Sequence, residues 1–160
     1  DRLLSFMACA SGWTPEPERE MAFFLEMADS LEKGGNYGAL SDKLTPIGKK
    51  VSCRNRIIMS YGLSFINDNK AIAALLRAMP ELVVEEAALR GNTLPSLALV
   101  GERDPLRVFA EQMAAVTSNM KLVIVPDGDH MSTLRREAAI TAIKAHLNEN
   151  TSSGTAPTAN

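Results

Sequence analysis

Two stretches, LALVGERDP (97–105) and LVIVPDGDH (122–130), decide the fold class of this sequence. Each begins with four apolar residues that do not alternate with polar ones, a pattern typical of strands covered on both faces in a parallel sheet. Amphipathic stretches over residues 106–117 and 134–147 follow them and predict helices. Strand, helix, strand and helix with short connections predict an α/β fold with parallel strands and right-handed crossovers.

A third buried strand is predicted at residues 3–10, which are nearly all apolar and are followed by Gly12. Because a parallel strand needs neighbours, we expect the chain to be the later part of a longer domain. Residues 14–90 show helical spacing without a convincing strand, and Asp68 is a candidate N-cap within them. Residues 151–160 are small or polar apart from one proline, which predicts a disordered tail.

The composition is that of a soluble globular protein, with 46% hydrophobic residues, 22% charged residues and a net charge of −2. This charge offers no electrostatic basis for binding nucleic acid. No stretch approaches the roughly 20 apolar residues of a membrane-spanning helix. Cys9 and Cys53 lie in apolar surroundings and belong to no metal-ligand pattern. We therefore expect a cytoplasmic protein without a metal or other cofactor.

Titratable side chains follow both of the later strands, at the edge of an α/β sheet where ligands bind. Asp104 lies in the loop after residues 97–100, and His130 lies in the loop after residues 122–125. Adjacent parallel strands are about 5 Å apart, so these loops are expected to bring Asp104 against the imidazole of His130. Such a pair suits a hydrolase, in which the histidine moves a proton and the carboxylate orients the histidine.

Each of these residues also has an ordinary structural explanation. The Asp-Pro pair at 104–105 suits a turn, and a loop histidine is often satisfied by backbone groups. Asp127 and Asp129 are alternative acids for His130. Asp129 adjoins His130 in sequence, which makes an oriented bond between their side chains awkward and favours both aspartates as turn residues.

Four other residues have expected positions. Trp13, at the end of the first strand, is a candidate to line an acyl pocket, and plain packing in the core or under the helical region is its alternative. Glu102 and Arg103 are expected to be solvated. His146 is expected in the last turn of the final helix, where a cation complements the helix dipole and no chemistry is implied.

Residues 95–148 resemble the last strand–helix–strand–helix unit of the α/β-hydrolase fold. In that family a Gly-x-x-Asp-Pro-like turn supplies the acid of a catalytic triad, and a Gly-x-His-like turn one strand later supplies the base. The corresponding turns here are Gly101-Glu102-Arg103-Asp104-Pro105 and Gly128-Asp129-His130.

The resemblance covers nearly the whole chain except the tail. Residues 1–13 resemble the core strand that follows the family's nucleophile helix, and residues 14–90 occupy the place of its helical cap. Residues 91–150 resemble the C-terminal part of the core. The implied fold class is α/β, comprising the C-terminal strands and helices of an α/β-hydrolase parallel sheet with an inserted helical cap.

The family's nucleophile elbow, Gly-x-Ser-x-Gly or its Asp or Cys variants, does not occur in the sequence. The nearest match, Gly62-Leu63-Ser64-Phe65, lacks the second glycine and lies in a helical pattern. The family's chain order places the elbow before residue 3. The resemblance therefore implies a nucleophile upstream and none within the chain.

The implied activity is that of an esterase- or lactonase-like hydrolase that works through an acyl-enzyme intermediate. His130 would be general base and then general acid, Asp104 its orienting carboxylate, and an upstream serine the nucleophile. An aspartate in that place would instead imply dehalogenase or epoxide-hydrolase chemistry. The expected partner is a small ester-like substrate in a mostly apolar pocket. Without its nucleophile, the chain alone is expected to be inactive.

The alternative is a non-catalytic binding or assembly module built from half of a hydrolase fold. Such a module would have to cover the exposed edge of its first strand, either by self-association or by pairing with another chain. A start codon immediately upstream of Asp1 would support the module, whereas an in-frame Gly-x-Ser-x-Gly upstream would support the enzyme.

Overall fold

The computed structural model describes residues 3–151 and contains a three-stranded parallel sheet. Its strands are β1 (Phe6–Cys9), β2 (Ser96–Gly101) and β3 (Met120–Val125), and they lie in the order β1-β2-β3. Leu97 lies opposite Met7 on one side and opposite Lys121 on the other. The sequence prediction of a parallel α/β sheet is therefore confirmed.

Seven α-helices are present among residues 3–151. They are α1 (Pro17–Glu32), α2 (Gly38–Lys43), α3 (Cys53–Ile66), α4 (Asn69–Ala78), α5 (Glu86–Arg90), α6 (Arg107–Val116) and α7 (Glu137–Thr151), and short 3-10 turns span Met79–Leu82 and Thr133–Arg135. The predicted disordered tail lies outside the described residues except for Thr151, which ends α7. No helix among the described residues is long and apolar enough to cross a membrane.

The chain divides into two compact units. One contains the residues up to Trp13 and those from Glu86 onward, and the other contains Thr14–Glu85. The sequence placed the end of the helical region at residue 90, whereas the helical unit ends at Glu85 because the following helix, α5, contacts α6 of the sheet unit.

The sheet unit has its core around β2, which is buried along its whole length. Alternate residues of the three strands point to one face, where α7 covers them. This cluster contains Met7, Cys9, Leu97, Leu99, Val123 and Val125 from the sheet and Ala139, Ala142 and Ile143 from α7. The residues between them in β2, Ala98 and Val100, point to the other face and are fully buried. Burial on both faces explains why the strand sequences are continuously apolar.

The helical unit has a separate core between α1 and α4. Its buried residues are Met27, Ala28, Leu31, Tyr37, Ala73 and Leu76. On the surface, the Arg77 guanidinium of α4 donates to Asp29 and Glu32 of α1 at 2.6 and 2.7 Å. The same guanidinium lowers the pKa of the Glu32 carboxyl. Asp68 caps α4 as predicted, by accepting hydrogen bonds from the backbone N–H groups of Lys70 and Ala71.

The expected position of His146 was wrong. The side chain is 4% exposed, and α7 continues to Thr151, so His146 is not in the last turn. It lies seven residues after the buried Ala139, a spacing that places both side chains on one helix face. Within residues 3–151 its Nε2 atom is buried without a hydrogen-bond partner. His146 therefore belongs to the packed face of α7 rather than to the solvated helix end.

Gly12 is required by close packing of the backbone after β1. Its neighbour Trp13 donates a backbone hydrogen bond to the Phe109 carbonyl at 3.0 Å, and a Cβ on Gly12 would overlap the backbone of Phe109. The Gly12→Ala variant is therefore expected to lower the free energy of unfolding of the sheet unit by about 1–3 kcal/mol. Urea unfolding followed by fluorescence of Trp13, the only tryptophan of the chain, measures this change.

The matched control is Gly62→Ala in α3, because nothing lies within 4 Å of a Cβ placed there. Alanine is favoured over glycine in a helix interior by about 1 kcal/mol, so this variant is expected to leave stability unchanged or slightly raised. Equal unfolding midpoints for Gly12→Ala and the unchanged protein would contradict the close approach at Phe109.

Candidate active site

The loops that follow β2 and β3 bring a carboxylate and an imidazole together at the carboxyl end of the sheet. The Nδ1 atom of His130 lies 3.1 Å from the Oδ2 atom of Asp104, although the two residues are 26 positions apart. The parallel pairing of the strands, with Gly101 opposite Val125, makes both loops begin at the same edge. The structure thus joins the two site residues that the sequence predicted.

The Asp104 carboxylate is held rigidly by its own turn. Its side chain is fully buried, and its Oδ1 atom accepts a hydrogen bond from the Leu106 backbone N–H at 2.8 Å. The Asp104 backbone is tied at both ends, with its N–H bonded to the Gly101 carbonyl and its carbonyl bonded to the Arg107 N–H at the start of α6. Because a buried carboxylate is costly without partners, the Oδ2 atom also needs a donor, and His130 provides it.

This arrangement assigns the proton on the His130 ring. An ionised carboxylate only accepts hydrogen bonds, so the Nδ1 atom that faces Asp104 carries the proton of the neutral imidazole. The Nε2 atom then has a free lone pair, and within residues 3–151 no side chain is hydrogen-bonded to it. The His130 side chain is 22% exposed, so its outer nitrogen is placed to exchange a proton with a bound molecule.

The two loops approach each other closely at two glycines, Gly101 and Gly128. A Cβ on either Gly101 or Gly128 would overlap the other residue's backbone or the buried hydroxyl of Thr133. A backbone hydrogen bond from Arg103 N–H to the Gly128 carbonyl, 2.8 Å long, joins the loops at the same place. The separation of Asp104 and His130 therefore depends on residues that have no room for a side chain.

Two residues expected to be solvated, Glu102 and Arg103, are exposed but also bridge the loops. The Glu102 carboxylate accepts from the Asp127 backbone N–H at 3.0 Å, and the Arg103 guanidinium donates to the Asp127 carboxylate. Asp127 has a φ of 54°, a left-handed conformation that aspartate tolerates better than most residues. These partners come from the other loop, so local sequence patterns did not reveal them.

The alternative acids lie in turn positions. Asp127 pairs with Arg103, and the Oδ1 atom of Asp129 accepts hydrogen bonds from Met131 and Ser132 in its own turn. The geometry thus favours Asp104 as the carboxylate partner of His130. Sequence reasoning missed the part played by Ser132, although an aspartate three residues before a serine is the spacing of a helix-capping pair.

Three other side chains considered from the sequence are Cys9, Ser64 and Trp13. Burial raises the pKa of the Cys9 thiol, which keeps it protonated and makes it a poor nucleophile. Ser64 lies in α3, and its hydroxyl donates to the Ser60 carbonyl at 2.9 Å. Trp13 is half-buried, and its role in substrate binding stays a prediction. In the described part of the chain no group of three or more metal-binding side chains is present.

Comparison with known proteins identifies the fold. No family model and no curated protein sequence matches the chain. Among solved structures it is similar to MenH from S. aureus, with a TM-score of 0.69 and 17% identity over 93% of this chain and 60% of that chain. It is also similar to a thermophilic esterase from Thermogutta terrifontis, with a TM-score of 0.66 and 21% identity over 93% of this chain and 57% of that chain. The enol-lactonase from Burkholderia xenovorans LB400 has a TM-score of 0.62 and 16% identity over 92% of this chain and 57% of that chain.

The Asp104→Asn variant is expected to reverse the tautomer of His130. The Leu106 N–H holds the side-chain oxygen at Oδ1, so the amide NH2 of the variant faces Nδ1 and donates to it. The proton of the neutral imidazole then moves to Nε2. Nitrogen-15 NMR measures this change, and His146, the other histidine of the chain, is the internal control. An unchanged His130 tautomer in the variant would contradict the carboxylate–imidazole bond.

Proposed function

From the premise that the chain has the fold of the C-terminal part of an α/β-hydrolase, we propose that it belongs to a hydrolase of esterase or lactonase type. His130 is the general base and Asp104 the carboxylate that orients it. The observation that carries the proposal is the 3.1 Å approach of the Asp104 carboxylate to the inner nitrogen of His130, with the outer nitrogen unpaired within residues 3–151. The chain spans about 60% of the length of the solved structures that it matches, so the activity proposed is that of a longer protein.

The proposed reaction has two half-reactions. The Nε2 atom of His130 takes the proton of a serine hydroxyl as the serine oxygen attacks the ester carbonyl, and the resulting imidazolium faces the buried Asp104 carboxylate. When the intermediate collapses, the imidazolium returns the proton to the departing alkoxide and an acyl-enzyme remains. Water then attacks the acyl-enzyme, His130 takes a proton from the water, and it returns that proton to the serine oxygen as the acid leaves.

The serine nucleophile of this scheme is supplied from upstream of the described residues. Cys9 is a poor nucleophile because burial favours its protonated thiol, and the Ser64 hydroxyl is bonded within its own helix. Large apolar side chains of α3 are exposed, with Tyr61 67% and Phe65 94% accessible. Such a surface is suited to contact further polypeptide or an apolar substrate. For the acyl pocket itself, we propose Trp13 as a lining residue.

We place this hydrolase in the cytoplasm, because Cys9 and Cys53 are both free thiols, as is usual in a reducing compartment. The proposed ligand is a small ester-like molecule, and we propose no cofactor or metal for the reaction.

A second candidate function, a non-catalytic assembly module, is favoured by the edge of β1 that faces away from β2, which pairs with no other strand among residues 3–151. The backbone N–H groups of Phe6 and Ala10 donate to Pro95 and Leu99 on the β2 side. In a parallel strand, alternate residues bond to opposite neighbours, so the backbone groups of Met7 and Cys9 point away from β2. The β1 sequence has no charge or proline to protect this edge, which is therefore suited to pair with another strand, including that of a second copy.

Hydrolysis of p-nitrophenyl acetate is expected only from a polypeptide extended upstream to a full domain. In that form His130→Ala is expected to lower kcat/KM by roughly 10²–10⁴-fold, because it removes the general base. Asp42→Asn changes an exposed carboxylate that pairs with Arg56 in the helical unit, and it is the control expected to leave activity unchanged.

Two outcomes would argue against this proposal. His130-dependent activity of the 160-residue chain would mean that the nucleophile lies within it. Failure of the extended form to turn over the ester would favour the assembly module or a different nucleophile.

The assembly module predicts concentration-dependent self-association through β1. Met7→Pro removes an N–H from the open edge and is expected to weaken association, whereas Met7→Ala loses the same side-chain packing but keeps the N–H. Sedimentation velocity over a range of concentrations compares the two variants. A monomer at all concentrations, or equal association of both variants, would argue against pairing at this edge.

A further inference from the structure

His130 lies inside a closed ring of hydrogen bonds made by its neighbours. The Oδ1 atom of Asp129 accepts from the Ser132 backbone N–H at 2.9 Å and from the Ser132 hydroxyl at 2.7 Å. In return, the Asp129 backbone N–H donates to the Ser132 hydroxyl oxygen at 3.1 Å. The Met131 N–H donates to the same Asp129 oxygen at 3.2 Å. This reciprocal pattern has the geometry of a helix-capping box, with His130 as its second residue.

The ring is also attached to the turn that carries Asp104. The Thr133 hydroxyl, which is fully buried, donates to the Asp129 carbonyl at 2.6 Å. The same hydroxyl fills the space beside Gly101, the residue whose carbonyl accepts from the Asp104 N–H. Asp129 therefore fixes the backbone of the His130 turn relative to the loop that holds the carboxylate.

We propose that Asp129 is a positioning residue, whose carboxylate holds the turn 129–132 in the one conformation that presents the His130 ring to Asp104. The inference rests on the proposed role of His130 as general base, and Asp129 itself touches neither substrate nor the reacting atoms. Hydrogen bonds to a charged acceptor are stronger than those between neutral groups, and this carboxylate oxygen accepts three. The turn is thereby ordered before any substrate binds.

Asp104 and Asp129 have different roles in this proposal. Asp104 is buried and bonds the imidazole directly, whereas the Asp129 carboxylate accepts hydrogen bonds from Met131 and Ser132 of the turn that carries His130. Loss of Asp129 should consequently free the His130 ring and leave the Asp104 turn intact. A residue needed only for stability would loosen both turns together. Hydrogen exchange at the His130 ring and at the Leu106 amide therefore distinguishes a positioning role from a purely structural one.

The test uses nitrogen-15 and proton NMR of the 160-residue chain. In Asp129→Ala, the Nδ1 proton of His130 is expected to exchange with water about tenfold faster, because the bond to Asp104 is made only part of the time. Hydrogen exchange of the Leu106 amide, which reports the Asp104 turn, is expected to stay the same. Asp129→Asn keeps an oxygen acceptor and is expected to restore most of the protection of the Nδ1 proton. Glu137→Ala, which removes a carboxylate from the exposed start of α7, is the control expected to change neither signal.

Unchanged exchange of the Nδ1 proton in Asp129→Ala would overturn the proposal, as would an equal loss of protection at Leu106. If Asp129→Ala does not fold, Ser132→Ala replaces it, because it removes the hydroxyl from the same ring. A smaller increase in exchange then supports the proposal, and no increase overturns it.

Activity measurements on the extended polypeptide distinguish failure of this inference from failure of the proposed function. There Asp129→Ala is expected to lower kcat at unchanged KM, because the base is misplaced while the binding surface is retained. Absence of ester hydrolysis in every version would contradict the proposed function, whereas the NMR result in the 160-residue chain would still decide the positioning role.

Discussion

The candidate site depends first on the parallel pairing of β2 with β3, in which Ser96 lies opposite Met120 and Gly101 opposite Val125. With this register both strands end at one level and their following loops start side by side. A slip of one residue would move one loop by about 3.3 Å and turn the side chains of β3 to the opposite face. Such a displacement exceeds what a hydrogen bond between a carboxylate and an imidazole tolerates. The chemistry of the loops is therefore set by the packing of the strands.

A second constraint is the lack of space where the loops meet. Gly101 and Gly128 approach so closely that a Cβ on Gly101 would overlap both the Gly128 backbone and the Thr133 hydroxyl. The absence of a side chain at each glycine permits a fully buried Asp104 to reach His130, and the Leu106 backbone N–H provides a second hydrogen bond to the carboxylate. Burial also keeps bulk water away from the carboxylate, so its electrostatic effect on the imidazole is stronger than at a solvated surface.

Much of the fold and of this pair was predictable from the sequence, because the signals are local. Uninterrupted apolar runs predicted parallel strands, and one aspartate and one histidine followed successive strands. The position of His146 was not predictable, since it depends on where α7 begins and ends. A 3-10 turn at Thr133–Arg135 delays that helix to Glu137, and its further extension to Thr151 places His146 away from the end. The partners of Glu102 and Arg103 were not predictable either, because both residues bond Asp127, which the fold brings close from another loop.

The long insertion between β1 and β2 has a consequence for the order in which the sheet assembles. Phe6 pairs with Ser96, so this contact closes a loop of 90 residues (96 − 6), whereas Ser96 and Met120 are only 24 positions apart (120 − 96). Closing the longer loop costs more chain entropy, and contacts distant in sequence form more slowly. Because the helical unit has its own core, its collapse lowers the entropy that remains to be lost. We therefore expect β2 and β3, with Asp104 and His130 on the loops that follow them, to pair early in folding, and β1 to join them later.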